Sequence, residues 1–264
     1  MKQSINDKDL ATLRTAKQQL EHPGLAAKAA NALGAPIERG FAMLPDHWRQ
    51  TVEHATEKAL RQALKVALRT MPEGETEPRD GRHSDTWHKA AAGLSGALGG
   101  AAGLLALPIE LPISTTIMLR SIAHIAQSEG EDLQTVETAL ACLEVFAMGG
   151  STPGNPKHSS YFATRAMLAR SVGEAAKFIA QKGVAEESAP AIVRLIAAIA
   201  SRFGLTVSEK AAAQAVPILG AAGGAVMNTL FLDHFQQIAH GHFAVRRLER
   251  EYGAELVRQA YEAG

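Results

Sequence analysis

The stretch PILGAAGGAVMNTLFLDHFQQIAHGHFAVRRLEREYG, residues 217–253, decides the fold class of this chain. Its apolar residues recur at the spacing of an α-helix, without the alternation that is typical of a strand. Pro217 is a favoured first-turn residue, and Gly253 is a helix terminator. We therefore predict one long helix from Pro217 to Tyr252.

The same helical spacing, with Ala and Leu dominant, extends outward over most of the chain. It predicts an all-α, multi-helix bundle. We divide the chain into an N-terminal helical arm, 1–43, and a single α-helical domain, 44–264, with a polar loop at 72–85. Further helices are predicted from Asn6 or Asp7 to the breaker at His22, from Pro45, at 112–128, 132–149, 160–182, 187–203 and 206–215, and after Gly253.

Two uncharged stretches rich in glycine and alanine, 90–109 and 211–232, carry small residues at four-residue intervals. Glycine costs a helix about 1 kcal/mol against alanine, so its repetition indicates close approach of another backbone. We predict two closely packed central helices. Burial in a bundle and insertion into a membrane both stay open, because 90–109 is long enough to span a bilayer but only weakly apolar. The close-packing glycines are Gly96, Gly99, Gly100, Gly103, Gly220 and Gly224.

Composition excludes several classes of protein. Lys plus Arg equals Asp plus Glu, at 27 each, and aromatics are 5%, which argues against a nucleic-acid partner. The single cysteine, Cys142, allows neither an intrachain disulfide nor a multi-cysteine metal cage. Nucleotide-binding and nucleophile-elbow motifs are missing, so we predict no cofactor. The N-terminus lacks the apolar core of a secretory signal, so we predict a cytoplasmic protein, peripheral at the inner membrane.

Charged residues lie inside apolar helices. Thr116, Arg120 and His124 form one row at i, i+4 spacing, and Glu144 lies among apolar neighbours. A buried arginine needs a carboxylate, and we expect Arg120 to pair with Glu144, or otherwise with Glu110 or Asp233. A structural salt bridge is the favoured interpretation, with a binding or catalytic site as the alternative.

The C-terminal run has a group of metal-ligand types, Asp233, His234, His240 and His242. The i, i+4 ligand spacing of a single metal-binding helix is missing, so we predict no metal. The other interpretation of this run places its apolar residues and one histidine toward the core and its charges in local ion pairs. The predicted core set is Phe231, Phe235, Ile238, His242 and Val245, and the predicted ion-pair set is Arg246, Arg247, Glu249 and Glu251.

The chain resembles the EcsC family, bacterial proteins named for a companion of an ABC transporter. The resemblance rests on residues 110–126, 142–150, 161–169, 217–235 and 242–253, which read ELPISTTIMLRSIAHIA, CLEVFAMGG, YFATRAMLA, PILGAAGGAVMNTLFLDHF and HFAVRRLEREYG. It implies an all-α protein associated with membranes, and it implies no reaction. Our candidate ligand-binding or polar-core residues are Glu110, Arg120, His124, Glu144, Asn228, Asp233, His234, His242 and Arg246.

Three functional hypotheses follow. The first is a non-enzymatic accessory protein that binds a membrane, a membrane-protein partner such as a transporter, or an apolar ligand between its glycine-rich helices. The second is a hydrolase that uses carboxylate and histidine side chains. The third is a structural scaffold.

Overall fold

The computed structural model describes residues 4–21, 24–33, 37–70, 106–149, 160–182, 188–215 and 220–264. These ranges form α-helices and no strand, which confirms the prediction of an all-α, multi-helix bundle. The helices are α1 Asp7–Leu20, α2 Leu25–Leu33, α3 Ile37–Ala42, α4 Trp48–Thr70, α5 Leu107–Ser128, α6 Val136–Met148, α7 Ser160–Lys182, α8 Pro190–Gln214, α9 Gly220–Tyr252 and α10 Ala254–Ala263.

Helix α9 is the axis of the bundle. Its 33 residues extend for about 50 Å, and α1, α2, α5, α6, α8 and α10 pack against it. A helix enclosed in this way must be apolar over a broad face. The predicted core set of α9 is confirmed, because all five side chains are buried: Phe231, Phe235, Ile238, His242 and Val245.

Local signals predicted several helix boundaries correctly. The Asn6 side chain caps α1 by accepting a hydrogen bond from the Asp9 amide at 2.8 Å. Helix α7 has the predicted bounds, and α9 ends at Tyr252 as expected.

Other boundary predictions are wrong. Helix α4 begins at Trp48 and not at Pro45, α5 begins at Leu107 and not at residue 112, and α6 covers Val136–Met148 and not 132–149. Helices α2 and α3 precede Pro45, and α8 is one continuous helix, because packing of Phe203 and Val207 holds the chain helical through the exposed side of Gly204.

Helix α1 approaches α9 closely at Gly241. A Cβ atom added there would lie 2.8 Å from the Leu20 Cγ and 2.9 Å from the Ala16 carbonyl oxygen. Glycine at this position thus allows two backbones to meet, the role that we predicted for other glycines. Gly96, Gly99, Gly100 and Gly103 lie outside the described residues, whereas Gly220 opens α9 and Gly224 is buried in it. Their role in close packing stays a prediction.

The Gly241→Ala variant should be destabilised by about 1–3 kcal/mol, because the α1 backbone must move to admit the methyl group. Gly173→Ala is the matched control. Gly173 also lies inside a helix, but a Cβ atom there meets nothing within 4 Å, so alanine should stabilise the protein by about 0.5–1 kcal/mol. Urea denaturation of the two variants checks both signs. Equal effects would contradict close packing at Gly241.

The side chains of α1 join the same core as the rest of the bundle. Leu13, Ala16 and Leu20 are buried with residues of α9 and α10. The division at residue 43 stays a prediction, and the polar loop at 72–85 lies outside the described residues.

Three contacts define the direction of the bundle. Gln236 of α9 donates to Ser121 of α5 at 2.7 Å midway along both helices, and Arg246 of α9 binds Glu131 just beyond the C-terminus of α5. Helices α5 and α9 therefore run in the same direction. The last turns of α8 lie at the beginning of α5, because Lys210 reaches Glu110. We call this end of the bundle, where α5 and α9 begin and α8 ends, the apolar end.

Candidate functional site

A buried ion pair lies at the apolar end. The Lys210 Nζ donates a hydrogen bond to the Glu110 Oε1 at 2.6 Å, and the two side chains are 0% and 4% exposed. The same Nζ lies 4.7 Å from the centroid of the Phe231 ring. Burial lowers the pKa of Lys210, and the charge and hydrogen bond of Glu110 oppose this effect. The pair joins α5, α8 and α9 at one point.

The position of this pair in the sequence is unusual. Glu110 is the first charged residue after the uncharged stretch 90–109, and Lys210 is the last one before the uncharged stretch 211–232. Sequence reasoning selected Glu110 but missed Lys210. The signal available in the sequence was that Lys210 directly precedes an apolar run, Ala211–Ala213. In the structure all three alanines are buried.

Exposed apolar side chains surround the same end. Ile109 and Ile113 are 70% and 51% exposed and share one face of α5. Val226 lies in the second turn of α9, which begins at this end, and it is 43% exposed. Helix α3 reaches this end where Gly40 contacts Ala212. Among the described residues, five of the eight exposed large apolar side chains lie on or directly after the parts of α3, α5 and α9 that are at this end, namely Phe41, Met43, Ile109, Ile113 and Val226.

Arg120 and His124 lie on the same outward stripe of α5, and both are exposed. The expectation that Arg120 is buried against Glu144 is therefore wrong. The apolar residue Ile113, which lies seven residues before Arg120 on the same helix face, is itself at the surface, while Met118, Leu119 and Ile122 form the core face. The outward stripe thus changes from apolar at Ile109 to cationic at Arg120, over about 16 Å of helix.

A second polar centre, which we call the arginine cluster, lies at the other end of the bundle. Arg246 binds Glu131 through two hydrogen bonds of 2.8 and 2.9 Å, and Arg250 binds the same carboxylate. Although burial acts in the opposite direction, these contacts hold the pKa of Glu131 below its usual value. Further pairs are Arg165–Glu249 at 2.7 Å and Arg247–Glu129 at 2.8 Å.

These pairs correct the prediction of local pairing. Arg246 and Glu249 both bind residues outside α9, and only Arg247–Glu251, at 3.9 Å, joins residues one helical turn apart. The turn between α5 and α6 supplies the carboxylates Glu129 and Glu131. Tertiary packing therefore determines which carboxylates these arginines bind.

A chain of hydrogen bonds extends from the arginine cluster into the core. Arg165 donates to the Tyr161 oxygen at 3.4 Å, and the Tyr161 hydroxyl shares a hydrogen bond of 3.0 Å with His242 Nδ1. The His242 Nε2 has no hydrogen-bond partner among the described residues. Burial lowers the pKa of His242 well below its usual value, with the Arg165 and Arg246 charges adding to the effect. This histidine is neutral at physiological pH.

Glu144 lies beside this chain. It is 7% exposed on α6, and its cationic neighbours are Arg165 and Arg246. Burial raises the pKa of Glu144 to about 7, because the two arginine charges only partly offset the loss of solvation. Tyr161 and Arg165 had no place among the predicted site residues, although they lie in the resembling piece 161–169.

The remaining predicted residues have structural partners. His234 donates from Nε2 to the Gly149 carbonyl at 2.8 Å, and burial lowers its pKa to about 4. Asp233 accepts a hydrogen bond from Gln237 at 2.8 Å, and Asn228 is buried in α9. Within the described residues, no three side chains of His, Cys, Asp or Glu are grouped to hold a metal ion.

Comparison with known proteins places the chain in a family. A model of the EcsC protein family matches residues 7–248 of the 264, so this all-α protein belongs to the EcsC family. No curated protein and no solved structure matches the chain.

Proposed function

We propose that this protein is a non-enzymatic accessory protein that associates with a membrane through the apolar end. The observation that carries the proposal is the group of exposed apolar side chains around the Glu110–Lys210 pair, led by Ile109 at 70% exposed. Complete removal of an isoleucine from water contributes about 1.5–3 kcal/mol. Several such side chains together provide enough free energy for reversible adsorption.

The outward stripe of α5 supports the same orientation. Ile109 and Ile113 would enter the apolar layer, and Arg120, about 16 Å further along the helix, would lie near the headgroups. Trp48 lies near this end as well, against Phe41 at 5.8 Å between ring centroids. Tryptophan is enriched at membrane–water interfaces.

Among the described helices, only α8 is long and apolar enough to cross a membrane, by length and composition. Core helices of soluble proteins pass the same test. Helix α8 packs against α2, α3, α4, α6, α7 and α9, and it contains the fully buried Lys210. We therefore propose adsorption of the bundle end to the interface, with α8 kept in the core.

The polar centres favour a non-enzymatic role. In the arginine cluster the carboxylates and guanidinium groups bind one another, and His242 is fully buried. A hydrolase needs an acid or base that can reach a substrate.

Vesicle flotation tests the membrane proposal. Purified protein should float with vesicles of equal parts phosphatidylcholine and phosphatidylglycerol, and it should remain bound at high salt because the contact is apolar. The double substitution Ile109→Asp and Ile113→Asp should reduce partitioning at least about tenfold, since it removes two apolar contacts and adds two charges.

The matched control is the double substitution Met167→Asp and Val193→Asp. These side chains are also exposed, at 55% and 38%, but they lie on α7 and at the beginning of α8, away from the apolar end. The control should float as the wild type does. Equal loss of flotation in both double variants would show that any exposed apolar residue contributes to binding. If the wild type does not float, the membrane proposal is wrong and a protein partner is favoured.

A further inference from the structure

We infer that the Glu110–Lys210 ion pair is a releasable latch, which holds the first turn of α5 against α8 and controls how much apolar surface the bundle presents. This inference rests on the proposed function, since it describes how the apolar end is regulated. The latch joins the two positions where the uncharged stretches 90–109 and 211–232 border charged sequence.

The first turn of α5 is weakly held by its own backbone. Pro112 lies inside the helix and has no N–H to donate to the carbonyl of Pro108, four residues earlier. Pro108 itself lies in the first turn. The segment 107–111 therefore depends on tertiary contacts, of which the Glu110–Lys210 pair is the most polar.

Release of this segment would expose further apolar surface. Leu107 and Leu111 are 1% and 0% exposed, and they lie on the same short segment as the exposed Ile109. Opening of the pair would place all three side chains at the apolar end together. The surface available to a bilayer would then be larger than in the closed bundle.

An ion pair suits such a latch better than an apolar contact. When two buried charges separate, they lose their mutual attraction but regain hydration, so the net cost of opening is small. When two apolar side chains separate, they lose burial and regain nothing. A pair of methionines at these two positions should hold the segment closed more firmly than the natural pair.

A cysteine in place of Leu107 reacts with maleimide when the segment 107–111 opens, so the labelling rate of Leu107→Cys measures opening. The natural pair and its variants are all compared in the Leu107→Cys protein. Lys210→Met leaves Glu110 buried without its cation, so labelling at residue 107 should be about tenfold faster than with the natural pair. The double variant Glu110→Met and Lys210→Met should label about tenfold more slowly than the natural pair. The order single, natural, double at residue 107, with Cys142 labelled at an unchanged slow rate, is what local release predicts.

The native Cys142 is the internal control for global unfolding. It is the only cysteine of the chain, it is fully buried, and burial raises its pKa, so it reacts slowly unless the bundle opens. Faster labelling of residue 107 with slow labelling of Cys142 supports local release. If both cysteines of the single variant react faster, the double variant decides. Slower labelling of residue 107 with unchanged labelling of Cys142 supports the latch, and equal labelling of residue 107 or equal slowing at both cysteines overturns it.

Flotation of the same proteins links the latch to the membrane. The amount bound to the phosphatidylcholine and phosphatidylglycerol vesicles should follow the labelling order, with the single variant highest and the double variant lowest. Equal labelling of all three proteins overturns the latch whatever the flotation shows. If labelling follows the predicted order but all three proteins float equally, the role of the latch at the membrane is overturned. If none of the three proteins floats, the proposed function itself is overturned.

Discussion

Replacement of Lys210 by methionine should destabilise the protein by about 3–5 kcal/mol, because it leaves the buried Glu110 carboxylate without its cation. The remaining carboxylate must either stay charged in an apolar site or take up a proton, and both are costly there. Urea denaturation at neutral pH measures the loss as a lower transition midpoint with an unchanged slope.

The double variant Glu110→Met and Lys210→Met should recover this loss in full. Replacement of a buried ion pair by apolar residues of similar volume is often neutral or stabilising by about 1–4 kcal/mol. The two single effects therefore will not add, and the difference is the coupling between the residues. Recovery in the double variant would separate the cost of an unpaired charge from the cost of altered packing.

Arg194→Met is the matched control on the same helix. Arg194 binds Glu174 at 2.8 Å, but the side chains are 58% and 33% exposed, so this pair should contribute less than about 1 kcal/mol. A loss at Lys210 as small as that at Arg194 would contradict burial of the Glu110–Lys210 pair.

The second large effect is expected at Glu144. At pH 8 the Glu144→Gln variant should be more stable than the wild type by about 3 kcal/mol, and the difference should vanish near pH 4.5. A carboxyl whose pKa is raised from 4.5 to about 7 by burial is ionised at lower pH in the unfolded chain than in the folded one. This difference in pKa corresponds to about 3 kcal/mol.

The sign follows from proton binding. Below pH 4.5 Glu144 is protonated in both states, so its ionisation has no effect on stability. Between pH 4.5 and 7 the folded protein holds a proton that the unfolded chain releases, so wild-type stability falls as the pH rises. Glutamine is neutral throughout and has no such loss.

Chemical denaturation of wild type and variant between pH 4.5 and 8 measures the difference directly. Other groups titrate in the same range, but they are common to both proteins and cancel. Glu53→Gln, at an exposed position of α4, should differ from wild type by less than about 0.5 kcal/mol at every pH. A difference between wild type and Glu144→Gln that does not change with pH would show that burial does not raise the pKa of Glu144.

If Glu144 behaves in this way, the arginine cluster has more positive charge at low pH than at high pH. When Glu144 is neutral, the charge pairs that remain here are Arg165 with Glu249 and Arg246 with Glu131. The cluster is then a structural centre that joins α7, α9 and the turn between α5 and α6.

The sequence by itself determined the helical class, the beginning of α1 at Asn6 or Asp7, the bounds of α7 and the buried face of α9. These features depend on residues within a few turns of one another, because a helix repeats every 3.6 residues and is capped by its nearest neighbours. Membership of the EcsC family was also predicted from sequence alone and is confirmed over residues 7–248.

Only the tertiary structure decided which side chains meet. Glu110 and Lys210 are 100 residues apart, and their contact depends on how α5 and α8 cross. The tertiary structure also turned Arg120 and Ile113 outward, although their spacing suits a core face equally well. Helical periodicity shows that a helix has an apolar face, but only its neighbours determine whether that face is covered. At the beginning of α5 they leave Ile109 and Ile113 exposed, and our proposal for the function of this protein depends on that surface.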